Sequence, residues 1–222
     1  MWRDAALVAR RDLRIELRSR VAVTQVLPFA LVVLVLFGFA LDPDRGVLQR
    51  VAPGLFWVVV LFSALLAIGR SGSLDEGEGR RDALRLSGLD PAGVFVGKAA
   101  AVAAQLLVLQ AVLVVGVAVL YEARFAGYPL VAATCCAATA AVAATGTLYG
   151  ALVAGLRLRH TLLPLLLLPV LAPVLIGATQ AFEAAFGTAA TNGWAWCGLV
   201  GGIALIYLVV GSLAYDTLLE TT

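Results

Sequence analysis

The chain has 222 residues, of which 62% are hydrophobic and 14% charged, and its mean hydropathy is +0.98. Those figures exclude a water-soluble domain of this size, which could not cover its apolar residues with polar surface. The net charge of +2 carries no meaning by itself; the placement of the charges does, because six long runs contain no Asp, Glu, Lys or Arg.

In chain order, residues 2–20 come first. On a 100° helical wheel Trp2, Ala6, Ala9, Leu13 and Leu17 cluster within about a quarter turn, and Arg3, Arg10, Arg11, Arg14 and Arg18 fill the adjoining sector. Such a helix lies at a membrane interface, its apolar stripe in the acyl boundary and its guanidinium groups among anionic headgroups. A cleaved leader is not expected, because the apolar run that follows is too long for the core of a signal peptide.

The uncharged runs cover 21–41, 51–69, 99–121, 129–156, 161–182 and 194–215. Each reaches the roughly 20 residues that a helix needs to cross hydrocarbon. If each crosses once, all the basic residues fall on one side except Arg45, Arg50 and Arg124. The basic side stays cytoplasmic, so both termini are expected inside. The expected fold is therefore all-α and membrane-embedded, one transmembrane domain over 1–222 with six spans after an interfacial helix.

Residues 70–98 form the one substantial polar segment, with Asp75, Glu76, Glu78, Asp82 and Asp90 set against five bases. A mixed-sign segment of this kind suits either solvation or a protein partner. Near its end, 93–99 reads G-V-F-V-G-K-A. This looks like a phosphate loop but has three residues between the glycines where four are required, and it lacks the Ser or Thr that would hold magnesium.

The fourth run carries Ala138, Val142, Gly146, Gly150 and Ala154 at four-residue spacing, a small-residue face suited to close helix packing inside the bundle or between subunits. The fifth contains Pro164, Pro169 and Pro173, where kinks are expected. Phe182 and Phe186 then stand one turn apart before the break at Thr191, Asn192 and Gly193. This pattern predicts a short re-entrant segment at the outer interface, with Trp194 and Trp196 anchoring at headgroup depth.

The absences narrow the chemistry. One histidine, His160, cannot build a paired-histidine site, and Cys135, Cys136 and Cys197 have no metal-ligand spacing and read as small apolar residues. No catalytic, cofactor or metal-binding residue stands out. None of the six runs has an ionisable group at membrane depth, where a gradient-driven transporter keeps its coupling charges. Energy for any transport is therefore expected from a soluble partner.

The layout of a basic N-terminal helix, two spans, a charged inner loop and four further spans resembles permeases of the ABC-2 type, and within them the CcmB family. The residues carrying the resemblance are R-R-D-L-R-I-E-L-R-S-R at 10–20, A-P-G-L-F-W-V-V-V-L-F-S-A-L-L-A at 52–67 and L-L-P-L-L-L-L-P-V-L-A-P-V-L-I-G-A-T at 162–179. After the second span Arg70, Glu78, Gly79 and Leu84 match the family pattern. Gly69 stands in place of an acid, Arg81 in place of a leucine and Asp82 in place of a glutamate.

The resemblance implies a bacterial inner-membrane permease subunit of a haem exporter complex serving c-type cytochrome maturation. It implies a docking segment for an ATPase at Glu78, Gly79, Arg80, Arg81, Asp82, Leu84, Arg85 and Leu86. It also implies a haem-handling membrane subunit, a periplasmic haem chaperone and a second copy of the chain as partners. The membrane-interface residues are Trp2, Arg10, Arg11, Arg14, Arg18, Trp194 and Trp196. No cofactor is expected on the chain alone, and haem is the cargo of the complex. A permease for lipid or polysaccharide and a non-conducting scaffold share the topology and remain open at this point.

Overall fold

The structure, a computed structural model, describes residues 1–19, 26–40, 45–73, 88–121, 127–154, 159–188 and 190–221. Seven helices account for nearly all of them: α1 Trp2–Ser19, α2 Leu27–Ala40, α3 Arg45–Ser73, α4 Pro91–Leu120, α5 Tyr128–Leu152, α6 Arg159–Phe186 and α7 Gly193–Thr221. Five are long and apolar enough to cross a membrane, over Val47–Arg70, Pro91–Leu120, Tyr128–Leu152, Thr161–Phe186 and Gly193–Leu218.

The sixth crossing expected over 21–41 coincides with α2. Its described part has 14 residues, about 21 Å of helix, less than the hydrocarbon thickness. Residues 21–25 and 41 of that expected span lie outside the described residues.

Four of the other spans, α3, α4, α6 and α7, are longer than their uncharged runs, because polar turns continue the same helices. α3 begins at Arg45 and α4 at Pro91, eight residues before the uncharged run starts. All three prolines of α6 sit inside one unbroken helix, as does Pro53 in α3.

α5 is the central post, packed against α3, α4, α6 and α7. Its composition explains the position, since alanine, threonine and glycine let four neighbours approach closely. Ala138, Val142 and Gly146 are all buried, and a Cβ on Gly146 would collide with the Ile68 side chain of α3. The small-residue face read from the sequence therefore closes the interior of the bundle. Cys135 and Cys197 are buried as expected, whereas Cys136 points outward.

The expected re-entrant segment is not a separate helix among the described residues. Phe182 and Phe186 belong to the last turns of α6, where Phe182 meets Phe56 at 4.9 Å, Trp57 at 5.1 Å and Phe186 at 6.0 Å between ring centroids. This aromatic packing against α3 favours continuing the helix one turn beyond the uncharged run. Gly187 then ends it at φ 72°, with the amide of Gly187 donating to Ala184 O and that of Thr188 to Glu183 O. That pair of bonds is a Schellman cap, which needs the left-handed residue that glycine supplies. Asn192 accepts from the Ala195 amide at the start of α7.

At one end of the bundle the Gly127 amide donates to Ala185 O, and a Cβ on Gly193 would meet Leu130 and Ala184. At the opposite end Phe95 packs at a tilt on Tyr215 and would block a side chain at Gly211. α2 packs on α3 and α4, where the buried Tyr121 hydroxyl donates to Leu34 O at 2.8 Å and Leu34 fits against Gly116.

Candidate functional site

The polar segment leading into the N-terminal end of α4 is where the sequence concentrates charge, and the structure describes its last residues, 88–98. Asp90 takes an extended conformation (φ −64°, ψ 121°) and its Oδ2 accepts from the Gly93 amide at 3.2 Å, with Pro91 in the first helical turn. An aspartate cap followed by proline is a strong local start signal, so α4 begins at the same place whatever the preceding loop does. Gly88, at φ 65°, turns the chain into that cap.

α1 docks on this head. A Cβ at Gly93 would lie 2.8 Å from Met1 O, and one at Gly97 would lie 2.6 Å from Ala5 O and 2.8 Å from the Val8 Cβ. The glycine pair at four-residue spacing thus removes two side chains and lets the backbones of α1 and α4 meet. Ala5, Val8 and Glu16 form the buried face of α1. The Met1 ammonium stands 3.3 Å from Asp4 Oδ2 and 3.6 Å from Asp90 Oδ2. These exposed pairs contribute little beside the packing.

The phosphate-loop lookalike is thereby explained. Residues 93–99 are continuous helix whose amides are spent on the Asp90 cap and within α4, so they cannot cradle a phosphate. Lys98 is buried in the same stretch.

The other residues singled out from sequence divide cleanly. Trp2, Arg10, Arg11, Arg14 and Arg18 are all exposed on the side of α1 turned away from α4. The stripe residues Ala6 and Leu17 are exposed with them, and Ala9 and Leu13 are half-buried. Trp194 is 58% exposed, whereas Trp196 packs against the core beside Gly177. The segment containing Glu78, Gly79, Arg80, Arg81, Asp82, Leu84, Arg85 and Leu86 lies outside the described residues.

Sequence reasoning missed two features. The Gly93 and Gly97 seam has a visible signal, the G-x-x-x-G spacing, which suits close helix packing as well as it imitates a phosphate loop. The contact of Gln110 on α4 with Thr139 on α5, a 3.1 Å bond from the Thr139 hydroxyl to Gln110 Oε1, had none. A lone glutamine and a lone threonine in different spans announce nothing about each other.

No group of three or more His, Cys, Asp or Glu suited to a metal ion occurs among the described residues. What the geometry defines is a multi-pass, all-helical membrane protein with a short basic helix clamped to the head of a spanning helix.

Comparison with known proteins gives the particular family. The family model described as CcmB protein matches residues 3–222. Heme exporter protein B of Paracoccus denitrificans is 34% identical over 180 residues, covering 77% of this chain and 78% of that protein. Heme exporter protein B of Bradyrhizobium diazoefficiens is 32% identical over 207 residues, 92% of each chain, and that of Haemophilus influenzae 33% identical over 182 residues, 80% of each. The chain belongs to the CcmB family.

Proposed function

We propose that the chain is the transmembrane permease subunit of an ABC-type haem exporter serving c-type cytochrome maturation. It couples ATP hydrolysis in a separate ATPase to haem export or to release of a haem-loaded periplasmic chaperone. The observation that carries this reading is the family match over residues 3–222, supported by relatives named heme exporter protein B across most of their length. In this reading haem is cargo of the complex and not a resident cofactor of the chain. The partners are the ATPase, a haem-handling membrane subunit, the chaperone and a second copy of the permease.

The finer topology belongs to the same proposal. α2 is the sixth crossing, the protein resides in the bacterial inner membrane, and both termini and residues 70–98 are cytoplasmic, as the arginine distribution favours. The exposed basic face of α1, with Trp2, sits among the inner-leaflet headgroups, and Trp194 and Trp196 mark the outer interface.

The segment 78–86 docks in a cleft of the ATPase. Arg80, Arg81 and Arg85 supply charge pairs and Leu84 and Leu86 an apolar anchor, with Glu78, Gly79 and Asp82 beside them. α4 links that segment to the outer side. It runs without a break from the Asp90 cap, next to the docking loop, to Tyr121, about 45 Å away, and Tyr121 grips α2.

The test is capture of the ATPase alongside maturation of a c-type cytochrome. Arg80, Arg81 and Arg85 changed together to Glu, and separately Leu84→Asp, are expected to lower both while leaving membrane insertion intact. The leucine change places an unpaired charge in an apolar cleft, at a cost of about 3–5 kcal/mol. Full retention of both readouts in both variants would make the loop a solvated connector and the chain's role a scaffold.

A further inference from the structure

α1 carries two kinds of surface that its docking on α4 does not use. The seam runs along Met1, Asp4, Ala5 and Val8, which face Gly93 and Gly97. The apolar stripe read from the sequence is a different face. Trp2 and Leu17 are each 77% exposed, Ala6 is exposed, and Ala9 and Leu13 are half-buried. A helix that needed only to hold α4 would turn its large apolar side chains into that contact, because their burial is what stabilises packing. Here a glycine seam makes the contact, so the stripe stays free while α1 is docked.

The charges of α1 are sorted in the same way. Arg3, Arg10, Arg11, Arg14 and Arg18 are all exposed and occupy the sector that borders the stripe. The three carboxylates of the helix lie on the seam side: Asp4 and Asp12 are half-buried and Glu16 is buried. The arginine sector therefore presents five guanidinium groups and no carboxylate of its own helix.

A ligand that matches both surfaces carries negative charge on an apolar body. An anionic phospholipid has that chemistry, since its phosphate oxygens accept from guanidinium donors and its acyl chains receive Trp2 and Leu17. The acidic patch of a soluble protein would match the arginines and leave the stripe in water. A zwitterionic lipid offers the same phosphate with a cation beside it, which weakens the attraction.

We propose that the docked α1 is a binding surface for anionic phospholipid, with Arg10, Arg14 and Arg18 on the headgroup phosphates and Trp2 and Leu17 in the acyl boundary. The site rests on α1 lying at the inner leaflet, as in the exporter reading above, and the anionic lipids of that leaflet are its ligand. Its effect reaches beyond anchoring. Gly93 and Gly97 fix α1 to the first two turns of α4, so lipid held by α1 also holds the head of α4, just after residues 78–86, at the membrane surface.

The test uses the full-length chain in a cysteine-free background, with a bimane attached at Leu17→Cys and phosphatidylcholine vesicles as the membrane. Nitroxide-labelled phosphatidylcholine or nitroxide-labelled phosphatidylglycerol is added at equal low mole fraction, and bimane quenching reads which lipid touches α1. Both lipids are expected to quench, with labelled phosphatidylglycerol preferred by about fivefold, the worth of one basic residue at an anionic surface. Changing Arg10, Arg14 and Arg18 together to Gln is expected to leave quenching by phosphatidylcholine unchanged and to remove the preference. Equal quenching by the two lipids in the wild type, the result for an arginine face that serves a protein partner, overturns the anionic site and leaves the surface placement standing. Absence of quenching by either overturns the placement as well, and a preference that survives in the triple variant overturns the arginine sector as its source. No ATPase, haem or cytochrome enters the measurement, so its failure is distinct from failure of the exporter reading.

Discussion

Replacing Gly97 by valine tests whether α1 is truly clamped to α4. A Cβ at this position would stand 2.6 Å from Ala5 O and 2.8 Å from the Val8 Cβ, and neither atom is the free end of a flexible side chain. Restoring ordinary contact at 3.4 Å requires α1 to withdraw by about 0.8 Å at its closest point. Overpacking of this kind costs about 1–3 kcal/mol. The gain in helix propensity from removing a glycine offsets only about half a kcal/mol when the newcomer is β-branched. A net loss of about 1.5 kcal/mol raises the undocked fraction of α1 by roughly thirteenfold. The arginines at 10, 11, 14 and 18 make α1 a good tryptic substrate once it is free, and cleavage follows the open population when docking is fast. In inverted membrane vesicles, cleavage of α1 in Gly97→Val is expected to outrun the wild type by about tenfold or more. Gly54→Ala, where nothing lies within 4 Å of the new Cβ, serves as the control and should match the wild type. Equal cleavage rates in all three proteins would mean that α1 is not held by the glycine seam.

Tyr121→Phe removes the buried donor to Leu34 O and is expected to cost about 1 kcal/mol, lowering Tm by about 2–4 °C in a protein of this length. A thermal melt in detergent that is superimposable on the wild type would show that the bond contributes nothing. Orientation is read by single cysteines in a cysteine-free background: those at Asp44, Ala126 and Ala190 should react with an impermeant thiol reagent in intact spheroplasts, and one at Glu76 should not. Labelling at Glu76 reverses the topology. The purified chain should bind no ATP in equilibrium dialysis, because residues 93–99 are helix; specific binding lost in Lys98→Ala would contradict that.

The membrane character was legible because it is written in composition, and the spans because charge is excluded from them. Their ends were less legible. Hydropathy stops where charge begins, yet helix does not: α4 starts at an Asp-Pro cap well below its apolar run, and α6 continues through Phe186 because Phe182 finds Phe56 and Trp57. The re-entrant segment has no helix of its own among the described residues for the same reason. Two aromatics one turn apart near an interface suit an interfacial helix equally well until a partner from α3 is seen.

Glycine spacing exposes the limit most sharply. Gly93 and Gly97, Gly146 and Gly150, and Gly198 and Gly202 share one pattern and meet three different surroundings. The first pair faces the backbone of α1, and the second faces the Ile68 side chain of α3, with Leu163 of α6 reaching Gly150. The third has nothing within 4 Å. Spacing specifies that a surface is flat enough for close approach. What approaches depends on the register of another helix, and that register is set by contacts such as Thr139 with Gln110 or Tyr121 with Leu34, which no periodicity encodes. A glycine pair in this chain is therefore evidence of permission, and only the neighbouring atoms turn it into a contact.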